Sequence, residues 1–183
     1  MTFAGTRATL GLMETDPTCA VAHGDAPAPP ETRTLVAVFA SPVADYLLRY
    51  GRDLGYRTTL VEPERGRVSN DEDASTTVLP HLPAHLDGDT DVIVTDHHRP
   101  ELGVFLRDAL ALDVRWIGIM GNPRHAGPHV AALRDLGVPD DDIARVHRPI
   151  GLNIGSRTPP EIAIATLAGL IADRNAKPGG FEF

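Results

Sequence analysis

Between residues 34 and 174, short apolar β-branched runs alternate with stretches of helical period, and this alternation narrows the fold more than any other feature. A run that is apolar at nearly every position, rather than every second one, suits a strand buried on both faces, as in a parallel sheet. Residues 35–39 read this way, as do residues 91–95 and 115–120 apart from polar ends, and residues 57–61 are expected as the second strand, ending at Glu62. Residues 43–54, 101–112 and 124–136 carry apolar side chains on a helical period, with Gly55 and Gly137 placed as stops. A last helix is expected over residues 160–174. Strand–helix–strand units with crossovers of this length pair in parallel and lay their helices on the sheet.

The fold class expected is therefore α/β: a Rossmann-like, doubly wound, mostly parallel sheet with helices on both faces, in three layers. The domain occupies residues 34–176. Residues 1–33 form an N-terminal tail, with one short strand around residues 9–13 and a proline-rich linker at residues 25–31 (DAPAPPE); residues 177–183 form a C-terminal tail. The net charge of -8 argues against a nucleic-acid surface, which needs a basic patch. The lone Cys19 rules out a disulfide within one chain and a cysteine-based zinc site. No basic segment leads into an apolar core at the N-terminus, and no apolar run approaches the length of a membrane span, so neither export nor a membrane partner is expected and the cytoplasm is the default location.

A dinucleotide-binding domain needs glycines after its first strand so that backbone approaches a pyrophosphate. Here that loop reads Phe39-Ala40-Ser41-Pro42-Val43, without glycine and with one N–H removed by proline. Ser41 is placed to cap the following helix, with Pro42 as its first residue. Glu62, at the end of the second strand, stands where a ribose-binding carboxylate would sit. One feature of two is present, and NAD(P) is a less favoured cofactor than a remodelled crevice.

Stronger signals come later. Thr158 and Glu161, with Pro159 at the first helical position, form a capping box, and Gly151, Asn153, Gly155, Ser156 and Arg157 precede it. Free backbone N–H groups and the helix dipole favour an anion there, and the glycines permit close approach of backbone. The alternative is a tight loop whose glycines serve backbone geometry alone. Gly121-Asn122-Pro123-Arg124 is a strand-to-helix turn in which Arg124, in the first helical turn, opposes the dipole and is a candidate for binding phosphate. Asp96-His97-His98 follows a strand directly, at the carboxyl edge where open α/β sheets bind ligands. It suits proton transfer, a metal, or merely a polar turn; adjacent histidines are expected to point apart, and no third ligand is spaced to join them. The i, i+4 pairs His81/His85 and His125/His129 are each interrupted by proline and read as surface or packing histidines, Trp116 as a core side chain, and Asp140–Asp142 as an acid-rich helix start.

At these residues the chain resembles the Rossmann-type C-terminal domain of the xanthine dehydrogenase accessory protein (XdhC/CoxI) family. The matching pieces are RWIGIMGN at residues 115–122, ALRDLGV at residues 132–138 and IARVHRPIGLNIGSRTPPEIAIATLAGLIADR at residues 143–174, with DVIVTDHH at residues 91–98 similar to the family's strand and Thr-His-Asp-His. The resemblance spans about residues 34–174. It departs at the first loop, where the family's Gly-Ala-Gly-His-Val-Ala is Phe39-Ala-Ser-Pro-Val-Ala, and at Asn122 and Asn153, where the family has Ser and Asp. What it implies is an accessory, non-catalytic protein that holds molybdenum cofactor (molybdopterin) and aids its delivery into a molybdenum hydroxylase of xanthine dehydrogenase or CO dehydrogenase type. The cofactor-binding candidates are then Gly121, Asn122, Arg124, Gly151, Asn153, Gly155, Ser156, Arg157, Ser41, Glu62, Asp96 and His97. Partners implied are the hydroxylase client, a separately encoded protein like the family's N-terminal half, and a second copy in a homodimer. The rival readings are an NAD(P)-binding oxidoreductase and a degenerate partner subunit.

Overall fold

The computed structural model describes residues 17–27, 33–69, 75–122, 124 and 127–180. The strand expected around residues 9–13, most of the linker, and His125 lie outside them. The chain divides into two units, residues 1–30 and residues 31–183. In the first, α1 (Pro17–Ala22) ends in a turn at Gly24, whose φ is +78°, and carries an exposed Cys19.

The second unit is built on a six-stranded sheet: β1 (Thr34–Val38), β2 (Arg57–Val61), β3 (Thr77–Leu79), β4 (Thr90–Val94), β5 (Trp116–Ile119) and β6 (Val146–His147). Its order is β3-β2-β1-β4-β5-β6 and every pairing is parallel. The chain winds outward from β1 in one direction and from β4 in the other, so the switch point lies between β1 and β4. Side chains alternate across the sheet. Leu35, Ala37, Leu60 and Ile93 pack with α2 (Pro42–Asp53) and α6 (Pro159–Arg174) on one face. Val36, Val38, Val92, Val94 and Ile119 pack with α3 (Leu102–Leu110), α4 (Pro128–Asp135) and α5 (Asp140–Ile143) on the other. The three layers expected are present.

The differences from expectation have local causes. Three-residue β3 and two-residue β6 are too short to show a period in sequence, as is six-residue α1. The helix expected from residue 124 starts at Pro128: the Asn122 side-chain oxygen accepts the Arg124 N–H at 3.0 Å, an Asx-type turn that diverts the chain. Arg124 is thus an exposed residue of the turn and opposes no dipole. Trp116 is half-buried: β6 is short, and the indole stacks on His147 with centroids 4.8 Å apart and planes 6° from parallel. Residues 177–180 of the expected tail run beside the preceding loop, where a Cβ at Gly179 would stand 2.7 Å from Leu152.

At the amino edge of the sheet Arg115 bridges Asp91 of β4 (2.6 Å) and Asp173 of α6 (2.7 Å), and Arg174 donates to the Tyr56 hydroxyl (3.1 Å). These bonds fasten the end of α6 beneath the strands. An open groove of about 540 Å³, lined in part by Arg52, Tyr56, Thr58 and His85, lies at this same edge.

Candidate functional site

Because all strands run the same way, the segments after β1, β2, β4, β5 and β6 meet at one carboxyl edge. The crevice at the switch point is closed by the chain itself. Phe39, fully buried, takes a φ of +74°, a conformation that ordinarily selects glycine. Its ring meets Phe105 edge-on at 5.2 Å, and the Arg99 guanidinium lies 4.7 Å over its face. Glu62, 2% exposed, accepts the Ala40 N–H (2.8 Å) and the Glu64 N–H (2.9 Å). The Arg99 fork grips the same carboxylate through both terminal nitrogens, at 3.2 and 3.1 Å. Burial works against the Arg99 charge, but the hydrogen bonds and charges of Glu62 and Glu101 outweigh it and raise its pKa. Ser41 caps α2, accepting the Ala44 N–H at 3.1 Å, and donates to the Thr95 hydroxyl at 3.1 Å; Thr95 lies 2.6 Å from the Phe39 carbonyl it donates to. The loop N–H and the acidic side chain that a dinucleotide would engage are therefore bonded to each other.

Beyond β4 and β5 the edge is different in character. His97 and His98 do not point apart: their rings are 4.1 Å between centroids. The turn that Asp96 makes by accepting the His98 N–H at 2.9 Å accounts for this, since it folds the two residues back together. The His97 ring hydrogen-bonds the Met120 backbone. Burial lowers its pKa below the ordinary 6.5, with His98 and Arg148 adding to the shift. Arg148, directly after β6, donates to the Asn122 carbonyl at 3.0 Å. Its guanidinium crosses Gly121 so closely that a Cβ there would be 2.6 Å from Nε. A Cβ at Gly127 would be 3.2 Å from Arg148 Cδ and 2.5 Å from His129 Nδ1, so the imidazole and the arginine stem meet across that glycine.

The loop before α6 is a third region. The capping box is formed, and Glu161 accepts the backbone N–H of Arg157 (2.8 Å) and of Thr158 (3.1 Å), which holds its carboxyl below the usual range. The close approach permitted by Gly151 (φ +84°) is to α6: a Cβ would be 3.0 Å from the backbone of Ala165 and Thr166, and Leu152 donates its N–H to the Ala165 carbonyl at 3.0 Å. Gly155 (φ +71°) has open space around it and serves the turn.

Among the sequence-predicted residues, the structure joins Ser41 and Glu62 through one loop, and Asp96 and His97 with Gly121 and Asn122 along the next part of the edge. Among the described residues, no hydrogen bond or ion pair links Asn153, Gly155, Ser156 or Arg157 to Ser41, Glu62, Asp96 or His97. Sequence reading did not single out Arg99 or Arg148, and it set His129 aside as a surface or packing histidine. Arg99 follows the legible strand β4 by a few residues, which was the available signal, whereas Arg148 follows β6, which is too short to leave one. His81 and His85 are exposed on irregular backbone, and the described residues contain no cluster of three or more metal-ligating side chains.

An all-parallel sheet in this order, with its polar residues gathered at the carboxyl edge, defines a Rossmann-type α/β domain. The family model for the XdhC Rossmann domain matches residues 35–170, and the chain belongs to that family. The uncharacterized protein YqeB of Escherichia coli (strain K12) is 42% identical over 67 residues, covering 37% of this chain and 12% of YqeB. The crystal structure of a xanthine dehydrogenase from Bacillus halodurans superposes with a TM-score of 0.64 at 22% identity, over 79% of this chain and 45% of that one. The chain thus spans less than half the length of either. No helix among the described residues is long and apolar enough to cross a membrane.

Proposed function

We propose that this chain is an accessory protein for a molybdenum hydroxylase, binding molybdenum cofactor and aiding its insertion into the enzyme. Membership of the XdhC Rossmann-domain family over residues 35–170 carries the reading. The remodelled crevice supports it over an NAD(P)-dependent oxidoreductase, because Glu62 and Arg99 occupy the groups a nicotinamide dinucleotide would use. The donor set at the β5 and β6 ends suits the pterin cofactor, which has a phosphate and polar edges: Arg148, the histidines and the Gly121-Asn122 backbone would hold it. When bound, the cofactor supplies the redox-active molybdenum; the residues of this chain bind, orient and release it. The client is a hydroxylase of xanthine dehydrogenase or CO dehydrogenase type, and a separate protein resembling the remaining half of the longer relatives is a second partner.

The test is equilibrium binding of isolated molybdenum cofactor to the purified chain, with NADH and NADPH titrated in parallel. Saturable cofactor binding without nicotinamide binding is the expected result. Nicotinamide binding alone would overturn the proposal and return Glu62 to the role of ribose ligand.

A further inference from the structure

We propose that Arg148, His129 and His97 form a phosphate-binding centre at the carboxyl ends of β4, β5 and β6, displaced from the switch point where this fold ordinarily holds its ligand. The centre deepens the cofactor-binding reading and rests on it for the identity of the larger ligand, whose phosphate monoester it would take.

The three side chains arrive from separate elements: His97 after β4, Arg148 after β6 and His129 in the first turn of α4. Their meeting depends on two glycines. At Gly121 any side chain would collide with the Arg148 guanidinium, and at Gly127 one would collide with the imidazole and crowd the arginine stem. His129 is 6% exposed, and its Nδ1 is buried with no hydrogen-bond partner among the described residues. A buried imidazole nitrogen left unmatched is unfavourable, and a hydrogen bond to a ligand would satisfy it. No side chain caps this end of α4, where Pro128 has no N–H and Val130 donates its own to the Gly127 carbonyl at 3.4 Å.

Charge makes the same argument. A chain of net charge -8 repels anions in general. Around this point, however, the groups acting on His97 are His98, Arg148 and, of opposite sign, Asp96, while Arg148 is the charge acting on His129. Asp96 accepts the His98 N–H within its own turn. Planar guanidinium, imidazole N–H and backbone N–H are the donors that tetrahedral oxyanions use, and the arginine fork suits two phosphate oxygens at once. The Glu62–Arg99 pair shuts the switch point itself, so this neighbouring stretch of the carboxyl edge is where a phosphate finds donors.

The experiment is titration of the intact chain with inorganic phosphate and, separately, with phenyl phosphate, following the histidine side-chain resonances by NMR and affinity by calorimetry. Saturable binding that shifts His97 and His129 is expected, tighter for the monoester if the centre serves an organic ligand and equal for the two if it serves free phosphate. Arg148→Gln should weaken binding roughly tenfold. Arg148→Lys, which keeps the charge and loses the fork, should fall between, and Arg107→Gln on α3 should leave affinity unchanged. If Arg148→Gln does not fold, His129→Gln carries the same test. Absence of saturable binding, or affinity unaltered in the folded Arg148 and His129 variants, overturns the centre. Cofactor binding that persists in Arg148→Gln would remove this centre and leave the accessory role standing; phosphate binding without cofactor binding would do the reverse.

Discussion

Glu62 shows how much a single side chain decides. It is a buried carboxylate whose partners are a buried guanidinium and two backbone N–H groups, so its charge is matched from all sides. Removing one member of such a pair leaves the other charge uncompensated. Glu62→Gln should lower folding stability by about 3–5 kcal/mol in urea melts, and replacing Glu62 and Arg99 together with apolar residues should cost less than the single change. Equal or greater loss in the double variant would show that Arg99 matters for packing rather than for charge. His129 makes a second statement at this scale. Burial, reinforced by Arg148, holds its pKa below the ordinary 6.5. As pH falls through that value the unfolded chain takes a proton that the folded chain refuses, so this residue's contribution to stability is present above it and lost below. His129→Gln should flatten the decline in stability between about pH 7 and about pH 5, whereas an unchanged slope would assign the decline to other groups.

Helix ends were written in the sequence and strand partners were not. Ser41 with Pro42, and Thr158 with Pro159 and Glu161, were legible because a cap involves residues within one turn of each other, and the structure forms both. Strand β2 was legible to the residue because its apolar end, Leu60-Val61, stops sharply at Glu62. By contrast the Glu62–Arg99 bond spans 37 residues and β6 has only two, so neither leaves a periodic trace. The Gly151 contact was half visible: the need for glycine could be read, but the surface it approaches is α6, and nothing near residue 151 in sequence says so. Two predictions belong here. Ser41→Ala should cost about 1 kcal/mol by thermal unfolding, the usual value of an N-cap. Gly151→Ala should cost about 1–3 kcal/mol, through crowding of the α6 backbone at a left-handed φ, and should speed amide exchange at Leu152, whose N–H is bonded to Ala165. Exchange at Leu152 unchanged from the parent chain would mean that the loop is held elsewhere.

At the scale of the molecule, the parallel sheet separates two apolar layers, and this too was legible, since four expected strands alternating with helices admit few other arrangements. Leu47 and Leu106 are both fully buried, on opposite faces. Each changed to Ala should cost about 2–5 kcal/mol, and the two losses should add to within about 0.5 kcal/mol because no side chain is shared between the layers. Strong coupling in a double-mutant cycle would mean that strain crosses the sheet. The proposed phosphate centre was not legible, because its side chains follow β4 and β6 or sit in α4, and only the assembled sheet brings them together.

The bond between Ala40 and Glu62 has a consequence in time as well as in space. A phosphate-binding loop that waits for its ligand is ordered only when that ligand is present, and its protein is most robust when saturated. Here the counter-charge is synthesised with the loop, as part of the same chain. The loop thus reaches its final shape on folding and needs no outside anion to hold it there.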